Sequence, residues 1–118
     1  MKITIPVSVG ELIDKITILE IRSLFTENEY VKKELKELTE IQNTITQFIL
    51  NHITELREVN QSLWKVEDKL RQKEKNQVFD EEFIELARSV YKLNDKRAEI
   101  KKKINEVTNS SYREVKLY

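Results

Sequence analysis

Asp14 and Glu20 sit inside an almost wholly apolar stretch, Val9 to Phe25, and a carboxylate in that setting either anchors an ion network or belongs to a ligand site. At about 100° per residue, Leu12, Ile13, Ile16, Ile21 and Leu24 sweep more than half of a helix circumference, with Ile18, Leu19 and Phe25 covering much of the rest. Only Lys15 and Arg22 share a clear solvent wedge. Glu20 projects between Ile13 and Ile16, and Asp14 between Ile21 and Phe25, so the fold must bring a cation or hydrogen-bond donors to both. The same conflict appears near the C-terminal end. There Phe83, Leu86, Ala87, Val90, Leu93 and Ala98 define an apolar arc, and Asn94 and Arg97 fall near its middle. Arg97 is therefore the first candidate partner for the two carboxylates and Arg88 the second. Arg88, Tyr91 and Asp95 form the adjoining edge, and Asn60, Trp64, Glu67 and Arg71 line one side of the intervening helix at spacings that share a face.

Two chemistries fit this set of Asp14, Glu20, Asn60, Trp64, Glu67, Arg71, Arg88, Tyr91, Asn94, Asp95 and Arg97. In the first, the strips interlock as a hydrogen-bonded ion network that fixes helix register. In the second, Trp64 and Tyr91 wall a pocket in which cations and carboxylates converge on a small polar ligand. Other chemistries find less support. His52 is the only histidine and falls on a packing seam, so a nucleophile-histidine-acid triad has no free base. The Glu-x-x-Glu pairs Glu34/Glu37, Glu37/Glu40, Glu55/Glu58 and Glu82/Glu85 invite comparison with helical, magnesium-dependent nucleotide hydrolases, but those need an acidic pair downstream, whereas Glu11/Asp14 lies upstream. No metal site and no cofactor are expected. Lys101, Lys102 and Lys103 suit a helix C-terminus and have no aromatic stripe beside them, so nucleic-acid binding is not the favoured reading.

The elements that must position these residues follow from composition and pattern. The chain has 118 residues with one Gly and one Pro, and charged residues make up 36% of it, which points to one helical domain, 1–118, with few loops. Twenty-one basic residues balance 21 acidic ones, so no global field draws the protein to nucleic acid or an anionic membrane. Without cysteine there are no disulfides or thiolate chemistry. No apolar run approaches the roughly 20 residues of a membrane span, and no signal peptide is recognised, so a cytoplasmic setting is expected.

Ser8 and Glu11 spell a capping box that starts a short first helix at Val9, and Thr26 to Glu29 a second box after a sharp turn near Asn28. From Val31 a heptad seam runs through Leu35, Leu38, Gln42, Ile45, Ile49, His52, Leu56, Val59, Leu63, Val66 and Leu70. It predicts one long coiled-coil-like helix to about Lys75, with Asn51-His52 as the place for a break if there is one. Asp80 caps a last helix of intermediate length to about Val107, with Phe79 stapled to Ile84. Lys2 to Val7 and Arg113 to Tyr118 alternate as strands do, and pairing the termini gives each lone strand a partner. The expected fold is thus all-α, three helices with a small two-stranded sheet from the termini. The seam predicts a homodimer through the long helix.

Four blocks carry a resemblance. Ile5 to Arg22 (IPVSVGELIDKITILEIR), Asn60 to Arg71 (NQSLWKVEDKLR), Phe79 to Lys101 (FDEEFIELARSVYKLNDKRAEIK) and Ser110 to Tyr118 look like a family of small, uncharacterised bacterial and phage helical proteins, a domain of unknown function. The resemblance implies that Asp14, Lys15, Glu20, Asn60, Trp64, Glu67, Asp68, Arg71, Glu85, Arg88, Asn94, Asp95 and Arg97 are signature positions, and it supplies no reaction. Where that family often has Gly before the serine of the last block, this chain has Asn109, which suits a left-handed cap. The functional expectation is a non-catalytic interaction or assembly module; the alternative is a ligand-binding protein or enzyme with its pocket among the three polar strips.

Overall fold

The structure, a computed structural model, describes residues 1–118 and contains four helices and no strand: α1 Val9–Ser23, α2 Glu29–Gln42, α3 Leu50–Lys75 and α4 Glu81–Val107. The apolar circumference of α1 is explained by its neighbours, because α1 packs against α2, α3 and α4, whereas α2 packs against α1 alone. Its capping serine is where the pattern places it. Ser8 Oγ accepts the Glu11 amide at 3.1 Å, but Glu11 does not close the box; its carboxylate goes to Lys101 at 2.8 Å.

The single long helix is corrected to two. The chain leaves the helix at Asn43, the Thr44 hydroxyl donates to the Ile41 carbonyl at 2.7 Å, and α3 restarts only at Leu50. Asn43, Thr44, Ile45 and Thr46 are weak helix formers, and side chains that hydrogen-bond the local backbone compete with helix propagation. A seam counted from apolar spacings alone does not register them. The N-terminal part of the seam consequently belongs to α2, which folds back on α1 and carries an ion pair from Glu34 to Lys15 at 2.9 Å. The C-terminal part delivers Ile49, Leu56 and Val59 to the core, beside Ile13, Ile53, Ile100 and Ile104.

The two-stranded sheet is also corrected. Both tails are exposed and irregular, and they diverge: Lys2 reaches Glu37 of α2, while Glu114 turns back to Lys101 of α4. The ends of the helical region do meet. Ser110 Oγ accepts the Val9 amide at 3.1 Å and Asn105 Oδ1 the Gly10 amide at 2.7 Å, so side chains of α4 and its cap bind the open N-terminus of α1. Asn109 takes the left-handed conformation, φ 48°, and the Ser110 amide returns to the Asn105 carbonyl, closing the helix end. Gly10 makes this approach feasible: a Cβ there would lie 2.7 Å from the Lys101 carbonyl oxygen.

Lengths decide where the core ends. At 1.5 Å per residue, α3 and α4 form a hairpin about 40 Å long, and α1 covers only about 22 Å of it. Between Asn60 and Ile100 no residue is buried. The hairpin turn beyond is held by Lys73, which bonds the α4 cap Asp80 at 3.0 Å and approaches Glu82 at 3.5 Å. Phe79 packs edge-on against Phe83, centroids 5.3 Å apart, and Ile84, expected as its staple partner, is 55% exposed.

Candidate functional site

Asp14 is the centre of the polar constellation. Its carboxylate is 2% exposed and receives a two-pronged bond from Arg97, Nε at 2.8 Å and Nη2 at 2.5 Å, together with Asn60 Nδ2 at 2.9 Å. Asn60 also donates to Thr17 Oγ1 at 2.8 Å, and Thr17 donates to the Asp14 carbonyl. Three helices are therefore tied through one carboxylate. The bond to Asp14 raises the Arg97 pKa above its ordinary value, against the opposing effect of burial. The pair predicted between Asp14 and Arg97 is present.

Glu20 is corrected. Its partner is neither Arg97 nor Arg88 but Arg57, whose Nε lies 2.9 Å away, and the pair is only half-buried. Arg57 stands three residues before Asn60, so extending the Asn60, Trp64, Glu67, Arg71 strip by one turn would have found it. Lys101 suits a basic last turn by sequence, yet its side chain is 11% exposed and is enclosed by Glu11 at 2.8 Å, Glu114 at 3.4 Å and Asp14 at 3.9 Å. Burial works against its charge, but the Glu11 bond and the Asp14 field outweigh that and raise its pKa. Arg97, Lys101 and Asn105 recur every four residues, a stripe that the lysine run disguises.

The remaining predicted residues divide. A cleft of about 580 Å³ opens where α1 ends, and Asn60, Trp64, Glu67, Arg71 and Arg97 all line it, joined by Asp68, Leu63 and the α1 residues Ile18, Ile21 and Arg22. Trp64 stacks on Phe25, centroids 5.2 Å apart and planes 9° apart. Asp68 accepts Gln72 at 2.8 Å, while Arg22, Glu67 and Arg71 have no ion-pair partner. Arg88 and Tyr91 are exposed on α4 outside this cleft, and Asn94 is half-buried outside it as well. Asp95 borders a second cavity, about 440 Å³, between α4 and the C-terminal tail. Tyr91 lines neither of these two cavities, so it does not wall the cleft that Trp64 borders.

No cluster of three or more acidic or histidine side chains is arranged to hold a metal ion, and no helix is long and apolar enough to cross a membrane. His52 Nδ1 is buried without a hydrogen bond, 3.9 Å from Glu55, and no nucleophile bonds to it. The arrangement offers charge, hydrogen bonding and a stacked ring. Residues 1–118 match the model of a family described as Family of unknown function (DUF6165). No curated protein and no solved structure matches the chain.

Proposed function

For a chain that belongs to the Family of unknown function (DUF6165), we propose a non-catalytic helical interaction module that self-associates through the outer half of its α3/α4 hairpin. The observation that carries this reading is the absence of any buried residue between Asn60 and Ile100, although Leu63, Val66, Leu70, Phe83, Leu86, Val90 and Leu93 repeat there at core spacing. Two amphipathic helices packed only on each other leave part of each apolar stripe in water, and a second hairpin docked across them completes a four-helix arrangement. Ile84 and Tyr91, 55% and 56% exposed and seven residues apart, lie on one side of α4 and mark the face to be covered. The dimer no longer involves a continuous helix from Val31. Ile49, a natural target on the heptad reading, belongs to the protomer core, and a charge there would unfold the protein.

Sedimentation velocity on wild type and on the double variant Ile84→Glu, Tyr91→Glu tests the reading. Both positions are exposed, so the variant should melt like wild type while shifting the species from dimer to monomer. A wild-type protein that remains monomeric at about 100 μM, a concentration at which even weak association of roughly −5.5 kcal/mol is half-populated, would remove this reading.

A further inference from the structure

We propose that the cleft at the end of α1 binds a small molecule joining a flat ring to an anionic group, with a nucleoside monophosphate as the class that fits. The inference is independent of self-association and starts from the order of groups along α3. Trp64, Glu67 and Arg71 share one face at intervals of about 4.5 and 6 Å along the axis. That order is an aromatic platform, then an acceptor, then a cation. A nucleoside monophosphate presents the matching order of base, sugar hydroxyls and phosphate over similar steps.

Each position is prepared for its role. The Trp64 ring is fixed by Phe25 on one face, 5.2 Å between centroids, and so offers stacking area with little loss of freedom. Arg71 on α3 and Arg22 on α1 border the same cleft and have no carboxylate within ion-pair distance, so their guanidinium groups are available to an anion. Arg97 cannot serve in the same way, because Asp14 already neutralises it. Glu67, also unpaired, accepts hydroxyl donors and repels a bare anion from the platform end.

The second observation lies at the cleft floor. Asn60 is 4% exposed, its amide nitrogen is committed to Asp14 and Thr17, and its carbonyl oxygen receives no hydrogen bond from the protein. That oxygen is reached by solvent, so a donor on a bound ligand can take the place of water there. An N–H of the ring stacked on Trp64, one helical turn away, would match it. The apolar walls, Ile18, Ile21 and Leu63, and the volume of about 580 Å³ lie within the range of small-molecule sites.

Trp64 is the only tryptophan, so its fluorescence reports this cleft alone. The full chain is titrated with adenosine and guanosine monophosphates, with the free nucleosides and with inorganic phosphate, exciting at the red edge of tryptophan absorption to avoid the bases. Saturable quenching by a monophosphate is expected, weakened roughly tenfold or more by Arg71→Ala or Arg22→Ala and by removing the phosphate. Both arginines are exposed and unpaired, so circular dichroism melts of the variants should match wild type. No saturable change with either monophosphate up to about 5 mM, titrations unaltered in both arginine variants, or phosphate alone binding as tightly as the nucleotide would each overturn the proposal.

Discussion

The two halves of the α3/α4 hairpin obey opposite rules. Where α1 lies across it, a carboxylate is buried at 2% exposure and both helices of the hairpin contribute a donor. Beyond the end of α1, the sequence is as apolar at the seam positions, yet no side chain is buried. Burial thus follows from the number of covering helices and not from local composition. The inner half gains its definition from polar groups that only one register can satisfy, while the outer half has a seam but no third layer.

Arg97→Ala tests the first side of that contrast most severely. It leaves Asp14 buried with only Asn60 at hydrogen-bond distance, and chemical denaturation should show a loss of about 3 to 5 kcal/mol. A melt near wild type would mean that the network does not hold the inner half together. Gly10→Ala comes next, because its Cβ would meet the Lys101 carbonyl, a backbone atom that moves only if the helices part. The expected loss is about 1 to 3 kcal/mol by the same measurement. An unchanged value would show that the contact between α1 and α4 can slide.

The outer half should respond in the other direction. Gln77 holds the left-handed conformation, φ 56°, at the hairpin turn, with its side-chain amide bonded to the Glu74 carbonyl at 2.8 Å. Gln77→Gly removes the strain of a Cβ there but loses that bond, so a gain of about 0.5 kcal/mol is expected in the unfolding free energy from chemical denaturation. A loss greater than this would show that the turn depends on its side chain.

The smallest effect is the pH dependence. Lys101 has a raised pKa, so its contribution is complete below the ordinary lysine value and is lost as pH rises through the higher folded value. Glu114 has a lowered one: burial opposes its charge, but Lys101 beside it prevails, so its contribution is present above the ordinary glutamate value and is lost as pH falls through the folded one. Stability measured against pH should therefore decline above about 10.5 and below about 4.5, and Lys101→Met should flatten the alkaline limb.

Much of this was legible in the chain. The caps at Ser8 and Asp80, the left-handed Asn109 and the pairing of Asp14 with Arg97 all come from short-range rules or from polar residues misplaced on an apolar arc. The errors share a cause. A heptad count weighs apolar positions and is blind to the polar Asn43-Thr44 stop, and alternation in a tail cannot reveal whether a partner edge exists. Arg57 and Lys101 escaped because long cations read as solvent-facing until a folded neighbour presents a carboxylate. The cleft was half visible: its α3 face follows from spacing, but Arg22 joins it only because α1 stops short of the hairpin's end.

The tie between Asp14 and Arg97 spans 83 residues of chain. During synthesis at about 5 to 20 residues per second, Asp14 is made roughly 4 to 17 s before its guanidinium partner. Throughout that interval α1 has only α2 and then α3 to lie against, and Asp14 lacks its cation. The inner core, which needs Ile100 and Ile104 as well as Arg97, is thus completed last, by α4.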